Sequence, residues 1–190
     1  MTIINSDEAE KEAILDVVRL MALSARTAPK TRGVDSVKTL ILHEKDELAK
    51  LADAMDAIYE EEPERLLFFH RNAREIREST TAVLVIGVTG EPKKVESPLD
   101  CGGCGMNCRA MQKANKIDKG TARGPMCLMQ GIDLGIALGS AVKMASDCNT
   151  DNRMMYTIGA AARKLELMEA DLAVGIPLSA SGKNVYFTPK

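Results

Sequence analysis

Apolar residues recur at helical spacing from residue 7 to about residue 24, with Ile14, Val17, Val18, Met21 and Ala22 on one face. This predicts an amphipathic helix capped by Ser6 or Asp7. Residues 37–42 read as a strand. Residues 44–59 carry Leu48, Leu51, Met55 and Ile58 on one helical face, and Pro63 suits the first turn of another helix running to about residue 78. The run AVLVIGV over 82–88 is apolar on both faces and predicts a buried strand. Residues 128–147 read as a buried helix. Met154, Ile158, Ala161 and Leu165 predict a further helix over 153–170, followed by a strand over 171–178, a turn at 179–183 and a short final strand over 184–187. Long helices between a few strands describe a layered domain, α+β or α/β.

Four of the five cysteines fall in one stretch, Cys101, Cys104, Cys108 and Cys127, in the pattern C-x2-C-x3-C-x18-C. Thiolates are soft ligands for zinc or iron–sulfur clusters. The glycines of CGGCG (101–105) let the backbone turn tightly around such a centre. Zinc ribbons use two separated C-x2-C pairs. Three bunched cysteines and one distant one match the grouping of a cubane cluster better, so a 4Fe-4S cluster is the first expectation and zinc the alternative. The cysteine-rich stretch, residues 97–127, reads as a metal-binding insert within a single domain spanning 1–190. Cys148 is left over. Between Cys101 and Cys127 lie Arg109, Lys113, Lys116, Lys119 and Arg123, against Asp118 alone. These cations either offset the negative charge of a thiolate-ligated centre or form a solvated basic face.

Composition narrows the functional classes. With 45% hydrophobic and 27% charged residues the chain is globular rather than disordered. A net charge of −2 argues against nucleic acid or an anionic membrane as partner. Aromatic residues are 3% with no Trp, too few to stack single-stranded bases. The start of the chain lacks the basic and apolar regions of a signal peptide, and Asp133 interrupts the longest apolar helix, so a cytoplasmic protein without a membrane span is expected. In a reducing compartment, clustered cysteines point to metal or redox chemistry.

Two polar segments could hold a phosphate. Arg26, Thr27 and Lys30 follow the first helix, with Arg32 and Gly33 beyond; Ser179, Ser181, Gly182 and Lys183 form the late turn. Neither is a Walker motif. Each alone reads equally as a solvated loop, and together they would make one anion site. His43 and His70, the only histidines, belong to no catalytic motif. Gly131, Gly135 and Gly139 form a small-residue stripe on the 128–147 helix, suited to a tight contact within the chain or to another backbone or a flat ligand.

Five segments, MALSARTAPK (21–30), CGGCG (101–105), DLGIALGSA (133–141), DNRM (151–154) and GIPLSASGKN (175–184), resemble an uncharacterised prokaryotic family of ferredoxin-domain-containing proteins. The resemblance runs over nearly the whole chain. The stretch from Cys101 to Cys127 is also similar to the small four-cysteine cluster module of redox complexes, which has x4 where this chain has x3. IGAAA (158–162), leading into a late strand and a basic C-terminal residue, resembles the nitroreductase-like flavoprotein fold. That resemblance implies an α+β layered sheet with helices and a homodimer. It also implies flavin mononucleotide (FMN) at the interface, its phosphate near Arg26, Thr27, Lys30, Ser181 and Lys183. The activity implied is that of a redox protein with an iron–sulfur cluster, an FMN-dependent oxidoreductase served by an electron-transfer partner. The alternatives are a non-enzymatic protein stapled by zinc or a cluster, and an electron carrier without a substrate.

Overall fold

The computed structural model describes residues 3–187. Its centre is a four-stranded antiparallel sheet made of β1 (Val37–Leu42), β2 (Ala82–Val88), β5 (Asp151–Asn152) and β6 (Leu172–Ser179), in the order β1-β2-β6-β5. Val37 pairs with Val88 and Leu42 with Val83; Val88 pairs with Leu172 and Ala82 with Leu178. β1 and β6 therefore run side by side with β2 from one end of the sheet to the other.

Every residue of β2 is buried because helices cover both faces. Val83 and Val85 point into a core shared with α2 (Lys45–Glu61), α3 (Pro63–Ser79) and α6 (Tyr156–Lys164). Ala82, Leu84, Ile86 and Val88 point the other way, against α1 (Ser6–Thr27) and α5 (Leu128–Asp147). The buried Val, Leu and Ile side chains among them stabilise the fold by roughly 1.5–3 kcal/mol each. The α+β layered class expected from the sequence is what forms.

Local signals account for the helix ends. Asn5, one residue earlier than expected, caps α1 by accepting from the Glu8 amide at 2.9 Å. Glu44 and Glu47 form a reciprocal capping box on α2, and Pro63 occupies the first turn of α3. α6 crosses β6 closely: a Cβ on Gly159 would lie 1.8 Å from the Ala173 carbonyl oxygen.

Two expected elements differ. The helix placed at 153–170 is only Tyr156–Lys164. Asp151 and Asn152 instead join the sheet edge and Met155 bridges to Gly175, while Leu165 caps the helix and Glu166 takes a left-handed φ of 54°. The terminal strand at 184–187 is a 3-10 turn, Val185–Phe187, because β5 already occupies the sheet edge beside β6. The Asn184 side chain accepts from the Tyr186 amide at 3.1 Å, and the Tyr186 hydroxyl lies 3.1 Å from Thr80 Oγ1. Burial pushes the Tyr186 phenol up to about 12.

Between β2 and α5 runs an irregular segment carrying α4 (Cys108–Lys113) and a small hairpin, β3 (Ile117–Asp118) with β4 (Arg123–Gly124). It is fastened by Asp171, which is fully buried just before β6. The Asp171 carboxylate accepts from Lys116 Nζ at 2.6 Å, Arg123 Nε at 2.5 Å and the Gly90 amide at 2.6 Å. Burial pushes this carboxyl up, but the hydrogen bonds from Lys116, Gly90 and Arg123 outweigh it and hold it below its ordinary value. Among the described residues, no helix is long and apolar enough to cross a membrane.

Candidate metal centre and flavin-site residues

The four clustered cysteines sit on three local structures. Cys101 precedes and Cys104 lies within a turn whose ends, Gly102 and Gly105, take φ of 71° and 77°, a region that disfavours any side chain. Gly103 lets Leu128 pack directly over that turn, since a Cβ there would meet Leu128 Cδ2 at 2.4 Å. Cys108 opens α4, its amide donating to Asp100 Oδ1 at 2.7 Å, and Asn107 caps the helix by accepting from the Ala110 amide at 2.8 Å. Cys127 is the N-cap of α5, and its amide donates to the Gly90 carbonyl at 2.8 Å.

Cys101, Cys108 and Cys127 line one small cavity. Cys108 and Cys127 are buried and Cys101 is exposed at the lip. Cys104 lies outside this lining, with Sγ 3.6 Å from the Met106 carbonyl. Among the described residues, no three His, Cys, Asp or Glu side chains are drawn together at metal-ligand range. The rest of the lining includes Lys93 and Arg32, apolar Pro92, Leu99 and Met129, and no carboxylate. Soft thiols, two cations and no competing acid suit an anionic thiolate-bound centre.

Several segments around the cavity are held in unusual conformations. Arg32, Lys94 and Asp100 all have positive φ (60°, 51° and 45°), and such residues cost of order 1 kcal/mol or more each. Arg32 donates to the Ser97 carbonyl and, at 3.1 Å, to Ser97 Oγ, while Lys94 Nζ donates to the Arg32 carbonyl at 3.2 Å. Lys93 Nζ donates to the Val34 carbonyl at 2.7 Å and to Asp133 Oδ2. Asp133 Oδ1 accepts from the Thr31 amide at 2.9 Å and Thr31 Oγ1 at 2.8 Å. Burial pushes the Asp133 carboxyl up, and hydrogen bonds from Lys93 and Thr31, with the Lys93 charge, bring it below its ordinary value.

The cations that surround the cysteines in sequence are not those that surround them in space. Lys116 and Arg123 are bound to Asp171, and Arg109 and Lys113 stand on the exposed side of α4. Lys93 and Arg32 line the cavity instead. Arg32 was visible in the sequence as part of a basic loop; Lys93 belongs to no motif, and Asp133 was legible only as the first residue of DLGIALGSA and as an acid inside an apolar helix.

The structure separates the two halves of the expected phosphate site. Arg26 pairs with Asp35, which in turn accepts from the Val37 amide at 3.2 Å, at the start of β1. Lys30 is largely buried and closes the end of α1, donating to the carbonyls of Ala25 at 3.1 Å, Ala28 at 2.9 Å and Arg26 at 2.5 Å. Thr27 Oγ1 donates back to Leu23 O at 3.2 Å. Ser181 Oγ donates to Asp151, beyond the far end of β6, at 2.5 Å, and Lys183 is exposed in the same turn. The sheet register puts Val37 and Ser179 at opposite ends of the sheet, so the two halves lie about 20 Å apart at roughly 3.3 Å per residue.

The α1–sheet–α2/α3/α6 layering is the nitroreductase fold. A Desulfovibrio desulfuricans protein provisionally described as a nitroreductase and solved in complex with FMN is 11% identical. The match covers 92% of this chain and 78% of that one, with a TM-score of 0.54. The NADPH:FMN oxidoreductase of Vibrio harveyi, complexed with NAD+, is 14% identical over 92% of this chain and 63% of that one, with a TM-score of 0.51. Sequence similarity identifies the family. A protein of Archaeoglobus fulgidus, itself uncharacterized, is 38% identical over 186 residues, covering 97% of this chain and 96% of the relative. The pattern of the family described as uncharacterized proteins containing a ferredoxin domain (DUF2148) matches residues 123–188, which include Cys127 but not the other three clustered cysteines. The chain belongs to this family.

Proposed function

We propose that the protein is a redox protein that holds an iron–sulfur cluster through Cys101, Cys104, Cys108 and Cys127. The observation that carries this is the shared cavity of Cys101, Cys108 and Cys127, bordered by Lys93 and Arg32 and by no acid. Cys104, on the adjoining turn, completes the set of four. When bound, such a cluster supplies single-electron transfer. The residues of the chain bind it, shield it with Pro92, Leu99 and Met129, and offset its negative charge. Purification without oxygen, followed by an absorption spectrum and iron, sulfide and zinc analysis, tests the reading. Broad visible absorption with matching iron and sulfide is expected. One zinc per chain would instead make the centre a structural staple, and neither metal would overturn the proposal.

The flavin draws its support from the fold. Within one chain Arg26, Thr27 and Lys30 cannot share a phosphate with Ser181 and Lys183 across the length of the sheet. A bound FMN would be held by one half of that set, or by one half from each chain of a dimer, and the same spectrum reports it as a separate flavin band.

A homodimer is the second part of the proposal. The stripe of Gly131, Gly135 and Gly139 does not pack inside the chain, since a Cβ at any of them would meet nothing within 4 Å. It faces outward beside exposed Leu128, Ile132 and Ile136, and α1, packed alongside, adds exposed Leu20 and Leu23. Exposed apolar residues grouped this way mark an association surface. Light scattering at micromolar concentration is expected to give twice the 20.6 kDa chain mass, and a monomer mass would refute it.

A further inference from the structure

We infer that Lys93, locked in place by Asp133, is a positioning residue of the cysteine centre that sets its reduction potential by holding a buried positive charge on the cavity wall. This rests on the cluster reading above.

The pair is deeply enclosed: the side chains of Lys93 and Asp133 are 5% and 1% exposed. Desolvating two charges costs several kcal/mol per ion, and apolar residues of the same size would pack there at no such cost. Stability alone therefore gives little reason for an ion pair at this place. The pair is also asymmetric about the cavity. Lys93 lines it with Cys101, Cys108 and Cys127, whereas Asp133, on α5, does not line it. Asp133 is also fixed by the Thr31 amide and hydroxyl. Two of the three N–H donors of Lys93 are taken by Val34 and Asp133. One N–H of Lys93 remains for a further acceptor. A thiolate-bound cluster becomes more negative on reduction, and nearby charge and hydrogen bonds to sulfur are what tune its potential. A cation nearer than its counter-ion favours the reduced form.

The two members of the pair thus make opposite predictions, which a scaffold role would not. Lys93→Met removes the near positive charge and is expected to move the potential downward. Asp133→Asn leaves that charge uncompensated and is expected to move it upward. Lys93→Arg is expected to stay near the parent. The measurement is an anaerobic redox titration of the reconstituted full chain followed by its visible absorption, with iron and sulfide counted per chain. If Lys93→Met fails to hold the cluster, the upward shift in Asp133→Asn, which keeps the lysine, decides. Unchanged potentials in cluster-loaded variants, or shifts in the same direction for both, would overturn the inference and leave the cluster reading intact. A parent chain that takes up no iron and sulfide would overturn both.

Discussion

Asp171→Asn is expected to destabilise the protein by about 3 kcal/mol. Asp171 is fully buried and answers to two cations and one amide, all from the segment between β2 and α5. Removing one partner of a buried ionic group costs about 3–5 kcal/mol, because the remaining charge has nowhere to go. The lower end applies because the Arg123 side chain is 43% exposed and can return to water; Lys116, at 14%, carries most of the loss. For a chain of this size that amounts to a drop in melting temperature of about 6–12 °C. Urea unfolding of parent and variant checks the value, and a difference within about 0.5 kcal/mol, the scale of an ordinary surface change, would show that Asp171 does not fasten the segment. The pH dependence has a definite sign. The folded carboxyl lies below its ordinary value, so its contribution is complete above the unfolded-chain value of about 3.9. It is lost as pH falls through the folded value. The parent should therefore lose stability in acid more steeply than Asp171→Asn.

What the sequence disclosed and what it concealed follow from the range of the interactions involved. β1, β2 and α5 begin and end where apolar periodicity placed them, because each is buried along a face set by its own residues. The 153–170 stretch misled because Met154 and Leu165 fall at helical spacing with Ile158 and Ala161. Pairing of Asp151 and Asn152 with β6, some 27 residues away, and the bridge from Met155 to Gly175 kept the N-terminal part of that stretch beside the sheet. The same pairing closed the edge that a strand at 184–187 would have needed. Side-chain partners were hidden for the same reason. Arg26 and Lys30 look like free cations in sequence, yet Asp35 and the carbonyls at the end of α1 claim them. Lys116 and Arg123 look like cluster cations, yet Asp171, far along the chain, claims both. Gly131, Gly135 and Gly139 were legible as a stripe, but only the packing of α1 and α5 shows that they turn outward.

Serine in place of Cys108 or Cys127 is expected to abolish metal binding, and serine at Cys101 or Cys104 to do the same, whereas Cys148→Ser is expected to leave it unchanged. Cys108 and Cys127 are the buried thiols of the cavity, each fixed at the start of a helix by a hydrogen bond from its own amide, to the Asp100 carboxylate and the Gly90 carbonyl respectively. Neither can be replaced by a neighbour without moving α4 or α5. Cys148 stands at the opposite end of α5 from Cys127, and 20 helical residues at 1.5 Å each put about 30 Å between them. No rearrangement that preserves α5 brings Cys148 to the same centre. Cys104 is the most informative of the set. Its position outside the cavity lining means that the turn at Gly102 and Gly105, free of side chains on its left-handed residues, has to swing it inward when a cluster is bound. Iron and sulfide per chain after anaerobic reconstitution of the five serine variants measure this directly. Parent-like iron in Cys104→Ser would reduce the ligand set to three thiols, and metal loss in Cys148→Ser equal to that in Cys108→Ser would sink the assignment of the centre.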